Sequence, residues 1–146
     1  MRKILMIVLG IWLLFNPMKA VCSAEQIAVI VNKANQVSKM SSDEVKKLYT
    51  NDVLTWSDGK NVNLYDLSTG DPARKDFSNK VLGKDAEKVA EEWANKKITN
   101  SAKNPPITVK SSILVLDRVG KDVSAIGYLL KKDVKGENVK IIATID

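Results

Sequence analysis

The sequence contains no histidine, and its one cysteine, Cys22, lies near the amino terminus. The absence of histidine removes the commonest general base and the commonest metal ligand of proteins. A single cysteine cannot form an intramolecular disulfide. Ser-His and Cys-His catalysis and ordinary zinc sites are therefore excluded, and we predict a non-enzyme with no catalytic residue, no metal site and no cofactor.

Excess charge of one sign is also slight. Lysine and arginine number 23 against 17 acidic residues, which gives a net charge of +6. Arg2, Lys3 and Lys19 belong to an amino-terminal leader, so 20 basic residues remain after its removal and the net charge falls to +3. Nucleic-acid binding proteins usually carry a basic stripe with interleaved aromatic residues. The lysines here are interspersed with acids, so we predict no nucleic-acid partner.

The first 24 residues have the pattern of an export signal. Arg2 and Lys3 form a positive start, and residues 4–15 are apolar without a charge. This run is shorter than the roughly 20 apolar residues that a spanning helix needs. Small residues up to Ala24 predict cleavage after that position, and we therefore expect the protein to work in the periplasm.

Three alternatives to this processing stay open. Cleavage after Ala20 is one, and retention of the leader as an uncleaved anchor is another. The third is a lipoprotein in which Cys22 becomes the acylated first residue, although Lys19 and Val21 occupy positions where lipoprotein signals favour other residues.

Residues 25–146 have the length of one ordinary domain. Continuous or alternating apolar patterns predict strands at residues 27–31, 62–67, 125–130 and 139–145, the first of them buried on both faces. Amphipathic patterns and caps predict helices at residues 40–49, 72–82, 85–98 and 111–119, with an irregular stretch at 100–106. Strands separated by helices indicate one α/β domain, with a mixed, mainly parallel sheet flanked by helices.

Four finer expectations concern the helices. Ser41 or Ser42 should cap the first helix. In the helix at residues 85–98 we place Val89, Trp93 and Ile98 on the buried side. Gly83 should end the helix at residues 72–82, and Gly120 should end the last helix.

The segment that matters most for function joins a strand to a helix. The strand at residues 62–67 leads into Ser68, Thr69, Gly70 and Asp71, after which Pro72 begins the helix. Such residues are commonly helix N-caps, and the free amides of a helix start can also bind an anion. Both interpretations stay open at this stage.

The roles of one arginine and two tryptophans also have more than one interpretation. Arg74 could clamp an anion, remain solvated, or pair with Asp66 or Asp71. Trp56 and Trp93 could stack on a ligand, although packing explains such residues more often.

Several segments together carry a family resemblance. They are residues 31–37 (VNKANQV), the helix at 40–49 (MSSDEVKKLY) running on to 55–59 (TWSDG), and 125–128 (AIGY). In content and order they resemble the phosphate-type periplasmic substrate-binding proteins of ABC importers, specifically a small single-domain group. The resemblance covers nearly all of residues 25–146 and implies a single lobe of a type II periplasmic-binding-protein fold. Asn51 stands where the family usually has glycine, which suits a residue that tolerates positive φ.

The resemblance also implies a site and partners. Full-length family members grip an oxyanion at the strand-to-helix loop, which implies ligand-binding roles here for Ser68, Thr69, Gly70, Asp71 and Arg74. The implied partners are a small phosphate-like oxyanion and a membrane transporter or envelope protein. A single lobe covers a ligand from one side, so a second copy in a homodimer is a further option.

Two departures from the family pattern support a second hypothesis. Pro72 lacks an amide donor, and Asp71 brings a negative charge toward the place an anion would occupy. A periplasmic protein-interaction module, which kept the lobe fold but lost ligand binding, would tolerate both residues.

Overall fold

The computed structural model describes residues 25–146. The predicted export signal, its cleavage after Ala24 and lipidation at Cys22 lie outside the described residues. Across residues 25–146, every helix is too short or too polar to cross a membrane.

Five strands and four α-helices make up this part of the chain. The strands are β1 (Ile27–Asn32), β2 (Asn63–Leu67), β3 (Ile107–Val109), β4 (Ala125–Leu130) and β5 (Val139–Ile145). The helices are α1 (Ser42–Tyr49), α2 (Pro72–Phe77), α3 (Ala86–Ile98) and α4 (Ser112–Lys121). A π-helical turn, Ser78–Leu82, continues α2, and a 3-10 turn, Lys131–Asp133, follows β4. All four predicted strands and all four predicted helices are confirmed, whereas β3 was not predicted.

The strands form one mixed sheet in the order β3-β2-β4-β1-β5. β2 pairs in parallel with both β3 and β4, and β1 pairs antiparallel with both β4 and β5. The predicted mixed α/β sheet flanked by helices is confirmed. Its parallel half contains β2, so the carboxyl ends of β2 and β3 meet at one edge of the sheet.

The core lies around the two inner strands β1 and β4, in which every residue is buried. Continuous apolar runs are typical of strands covered on both faces. β5 alternates more because it is an edge strand. The prediction that residues 27–31 form a fully buried strand is therefore confirmed.

Local signals set the ends of several helices. Ser41 caps α1 in a reciprocal capping box with Glu44. Gly83 ends the π-helical turn with a left-handed φ of 70°, and Asn51 takes a φ of 63° just after α1. These three expectations are confirmed.

Two helix expectations were wrong. Ile98 is 83% exposed. It follows Val89 by nine positions, which is about two and a half turns, so it faces away from the buried side. Gly120 does not end α4, which runs to Lys121. The side-chain amide of Asn32 donates to the carbonyls of Val119 and Gly120, both at 3.0 Å, and so satisfies acceptors that the helix end leaves free.

Gly127 in β4 permits close packing of α4 on the sheet, and this generates a stability prediction. A Cβ atom there would lie 2.6 Å from Val115 Cγ1 and 3.2 Å from Val119 Cγ2. We expect Gly127→Ala to lower the free energy of unfolding by about 1–3 kcal/mol through overpacking, measured by denaturant titration. Gly70→Ala is the matched control, because a Cβ there meets nothing within 4 Å. Equal effects of the two substitutions would contradict this account.

Candidate functional site

A buried ion pair lies at the centre of the candidate site. Arg74 of α2 is 3% exposed and pairs with Asp66 of β2, which is 5% exposed. The Arg74 guanidinium also donates from Nη1 to the Leu67 carbonyl at 2.9 Å and from Nε to Ser78 Oγ at 3.2 Å. Of the sequence alternatives for Arg74, the ion pair with Asp66 is the one observed.

Asp66 receives two further hydrogen bonds. The Tyr128 hydroxyl donates to Asp66 Oδ1, and the Leu67 amide donates to the same oxygen at 2.9 Å. Burial raises the pKa of the Asp66 carboxyl, while the Arg74 charge and these hydrogen bonds oppose the rise. Burial also raises the pKa of the Tyr128 hydroxyl well above its ordinary value, with the Asp66 charge adding to the effect. Tyr128 therefore stays protonated and donates to Asp66 at neutral pH.

An aromatic cluster that includes Tyr128 packs next to this hydrogen-bond network. The rings of Phe77 and Tyr128 are stacked with centroids 3.8 Å apart, and Tyr49 meets Phe77 edge-on at 4.9 Å. The Tyr49 hydroxyl donates to the carbonyl of Tyr65 at 2.8 Å. Close aromatic packing of this kind restricts the rings, so Tyr128 presents its hydroxyl to Asp66 in a fixed direction.

A pocket of about 270 Å³ opens beside the ion pair, and we call it the Arg74 pocket. It lies at the carboxyl end of β2 and beside β3, and the carboxyl ends of strands are where open α/β sheets commonly bind ligands. Helix α3 supplies one wall. The lining residues are Asp66, Leu67, Thr69, Arg74, Ala90, Trp93, Ala94, Lys97, Pro106 and Thr108.

Hydrogen bonds of Asn51 and Asn104 hold the loop that leads into β3. Asn51 donates to the carbonyl of Asn104 and accepts from its amide, both at 2.9 Å. The side chain of Asn104 donates to the carbonyl of Val62 at 2.8 Å. These contacts position the loop that leads through Pro106 into β3.

The five predicted site residues take different places. Thr69 and Arg74 line the Arg74 pocket, whereas Ser68 and Gly70 are exposed and lie outside its lining. Asp71 is the N-cap of α2, and its Oδ1 accepts from the Ala73 amide at 2.9 Å. The Asp71 carboxylate thus occupies an amide that an anion at the helix start would otherwise use.

Sequence reasoning missed six of the lining positions, namely Leu67, Ala90, Ala94, Lys97, Pro106 and Thr108. Lys97 and Ala94 lie on the same face of α3 as Trp93, and the spacing of these residues could have indicated a shared wall. Pro106 and Thr108 could not have been found in this way, because the strand β3 was not predicted. Among residues 25–146, no group of three or more acidic, cysteine or histidine residues is placed to hold a metal ion.

No protein-family model matches this sequence, and no curated protein matches it. Solved structures do match its fold. A putative phosphate ABC transporter substrate-binding protein with bound phosphate, from Clostridium perfringens, matches with a TM-score of 0.62 and 19% identity over 81% of this chain and 44% of that chain.

Two further structures give the same result. An ABC-type phosphate transport receptor from Vibrio cholerae matches with a TM-score of 0.54 and 15% identity, covering 81% of this chain and 45% of that one. A possible phosphate binding protein from Planctomyces limnophilus DSM 3776 matches with a TM-score of 0.60 and 16% identity, covering 81% and 40%. The chain has the fold of one lobe of these proteins. The resemblance inferred from the sequence is thus confirmed for the fold, and the chain spans less than half the length of each neighbour.

The buried pair generates a stability prediction. Arg74→Ala would leave Asp66 buried without its counter-charge, and we expect a loss of about 3–5 kcal/mol in the free energy of unfolding. Lys75→Ala is the matched control, because Lys75 is the adjacent cation and is exposed. Denaturant titration measures both, and a loss below about 1 kcal/mol for Arg74→Ala would show that the pair contributes little.

The tyrosines give a second prediction. Burial raises the pKa of both Tyr49 and Tyr128 well above the ordinary value of 10.0. Unfolding restores ordinary ionisation, so high pH should favour the unfolded state. We expect absorbance titration to show two of the three tyrosines forming phenolates only as the circular dichroism signal is lost. Ionisation of all three in folded protein would contradict this expectation.

Proposed function

We propose that this chain is a noncatalytic, periplasmic solute-binding-like domain that recognises a small oxyanion, such as phosphate, at the Arg74 pocket. The proposal rests mainly on one observation, the buried guanidinium of Arg74 held in place beside a pocket that Lys97 and two threonines also line. The fold neighbours support it, since one of them was solved with phosphate bound.

The chemistry of the pocket suits an anion. Guanidinium, ammonium and hydroxyl groups all donate hydrogen bonds to oxyanions. Asp66 compensates the charge of Arg74, which leaves Lys97 as the uncompensated cation among the lining residues. The pocket therefore carries one net positive charge, enough to attract an oxyanion to a partly apolar site.

The expected affinity is low. A single lobe contacts its ligand from one side, whereas tight small-molecule sites bury most of the ligand surface. Closure of the pocket by an envelope partner, a transporter subunit or a second copy of this chain would bury the remaining surface and raise the affinity.

A second candidate function is protein docking without a small ligand. The observation that favours it is the capping of α2 by Asp71, which places a carboxylate at the helix start that the family uses for the anion. Under this hypothesis the domain kept the lobe fold and contacts an envelope protein through the face around the Arg74 pocket.

Anion binding can be tested by thermal melting of the purified protein at constant ionic strength. We expect phosphate at tens of millimolar to raise the melting temperature by about 2–5 °C relative to chloride, because a ligand that binds the folded state stabilises it. Lys97→Ala should abolish most of this rise, since it removes the uncompensated cation and leaves the buried pair intact.

The control for this experiment is Lys135→Ala. It removes the same charge from an exposed turn next to β5, at the opposite edge of the sheet from β3, and should keep the full rise. If neither phosphate nor sulfate stabilises the unmodified protein, the anion-binding proposal fails and the docking function gains support. Equal loss of the rise in both variants would indicate general charge effects.

A further inference from the structure

The Arg74 pocket is lined by apolar as well as polar side chains. Ala90, Trp93 and Ala94 present one face of α3 to the pocket, and Pro106 and Leu67 extend this wall. A ligand consisting only of a tetrahedral oxyanion would leave most of this apolar surface exposed to water. Apolar surface of this kind gains free energy when a nonpolar group covers it.

The size of the pocket also favours a ligand larger than an inorganic oxyanion. Its volume of about 270 Å³ is close to the lower end of the ~300–1,000 Å³ that pockets for small organic ligands span. An inorganic oxyanion has only five heavy atoms and would fill a minor part of this space.

Trp93 is the largest element of the apolar wall. It is half-buried, and Lys96 Nζ lies 4.7 Å from the centroid of its ring. A cation over an aromatic ring restrains the ring by electrostatic attraction. The indole therefore offers a partly exposed aromatic surface that is already ordered before a ligand arrives, which reduces the entropy lost on binding.

The charge of the pocket limits the ligand further. Among its lining residues Arg74 and Lys97 are cationic and Asp66 is anionic, which leaves one net positive charge. A singly charged head group would be balanced there. A doubly charged group would keep one negative charge uncompensated and would lose more hydration on binding.

We infer that the ligand of the Arg74 pocket is a singly charged organic oxyanion with an apolar substituent. Its charged head contacts Thr69, Arg74 and Lys97, and its apolar part packs on Trp93 and Pro106. This inference rests on the proposed function and specifies its ligand class. Organic sulfonates and phosphodiesters share this chemistry.

The test compares anions of equal charge and different apolar area. Titration calorimetry with benzenesulfonate and methanesulfonate should show benzenesulfonate binding about tenfold more tightly. Dimethyl phosphate and diphenyl phosphate form the second pair, and comparison of methanesulfonate with dimethyl phosphate identifies the preferred head group. Inorganic phosphate serves as the reference anion.

Two variants connect the preference to the pocket. Trp93→Ala should reduce the benzenesulfonate-to-methanesulfonate affinity ratio to nearly one. Ala94→Glu places a carboxylate at an exposed lining position, where it should not disturb the core, and should weaken all of these anions at least about tenfold. Lys135→Ala should change neither the ratio nor the affinities.

The outcomes separate this inference from the proposed function. Equal affinities within both pairs, together with Lys97-dependent binding of phosphate, would overturn the inference and leave the proposed function intact. An aromatic preference that persists in Trp93→Ala would also overturn it, because the contact would then lie elsewhere. If phosphate and all the organic anions fail to bind, the result contradicts both this inference and the proposed function.

Discussion

The ion pair between Asp66 and Arg74 organises this part of the molecule. Both side chains are removed from water, which is costly unless each charge is paired and hydrogen-bonded. The structure meets that requirement with groups from β2, the turn after α2 and β4, namely the Leu67 amide and carbonyl, the Ser78 hydroxyl and the Tyr128 hydroxyl. Through these contacts the pair ties the first turn of α2 to the carboxyl end of β2 and to the middle of β4.

The pair also sets the electrostatics of the pocket. An arginine without its carboxylate would attract anions strongly, but Asp66 compensates that charge and Asp71 adds another carboxylate nearby at the helix start. The positive charge that remains comes from Lys97 on the exposed face of α3. A site of this kind favours weak, selective binding, whereas an enclosed cleft favours high affinity.

The single lobe limits how much of a ligand surface the pocket can bury. The fold neighbours are more than twice as long as the matched region, while this chain supplies one face with one partly apolar pocket. Under the proposed function, a ligand with its own apolar group would recover on the Trp93 wall some of the burial that a second lobe would have provided. Occupancy of the site would then depend on the ligand's substituent as well as on its charge.

Much of the fold followed from local patterns. The buried run of β1, the serine N-cap of α1 and the glycine stop at Gly83 each depend on residues within a few positions of one another, and all three were predicted correctly. The strand β3 was missed because its three residues, two of them exposed, are too few to show a periodic signal. The burial of Ile98 was predicted wrongly because a residue at the end of a helix has little contact with the sheet.

By itself, the sequence determined the order of all strands and helices except β3, the class of fold and the absence of histidine or cysteine chemistry from residues 25–146. Tertiary structure alone decided which charge Arg74 would meet and which wall the pocket would have. The Tyr128 hydroxyl reaches Asp66 across 62 positions of the chain, and β3 lies beside β2 only through the sheet order. Caps and periodicity act over one or two turns of chain, whereas the partners of a buried charge depend on which distant elements the core brings together.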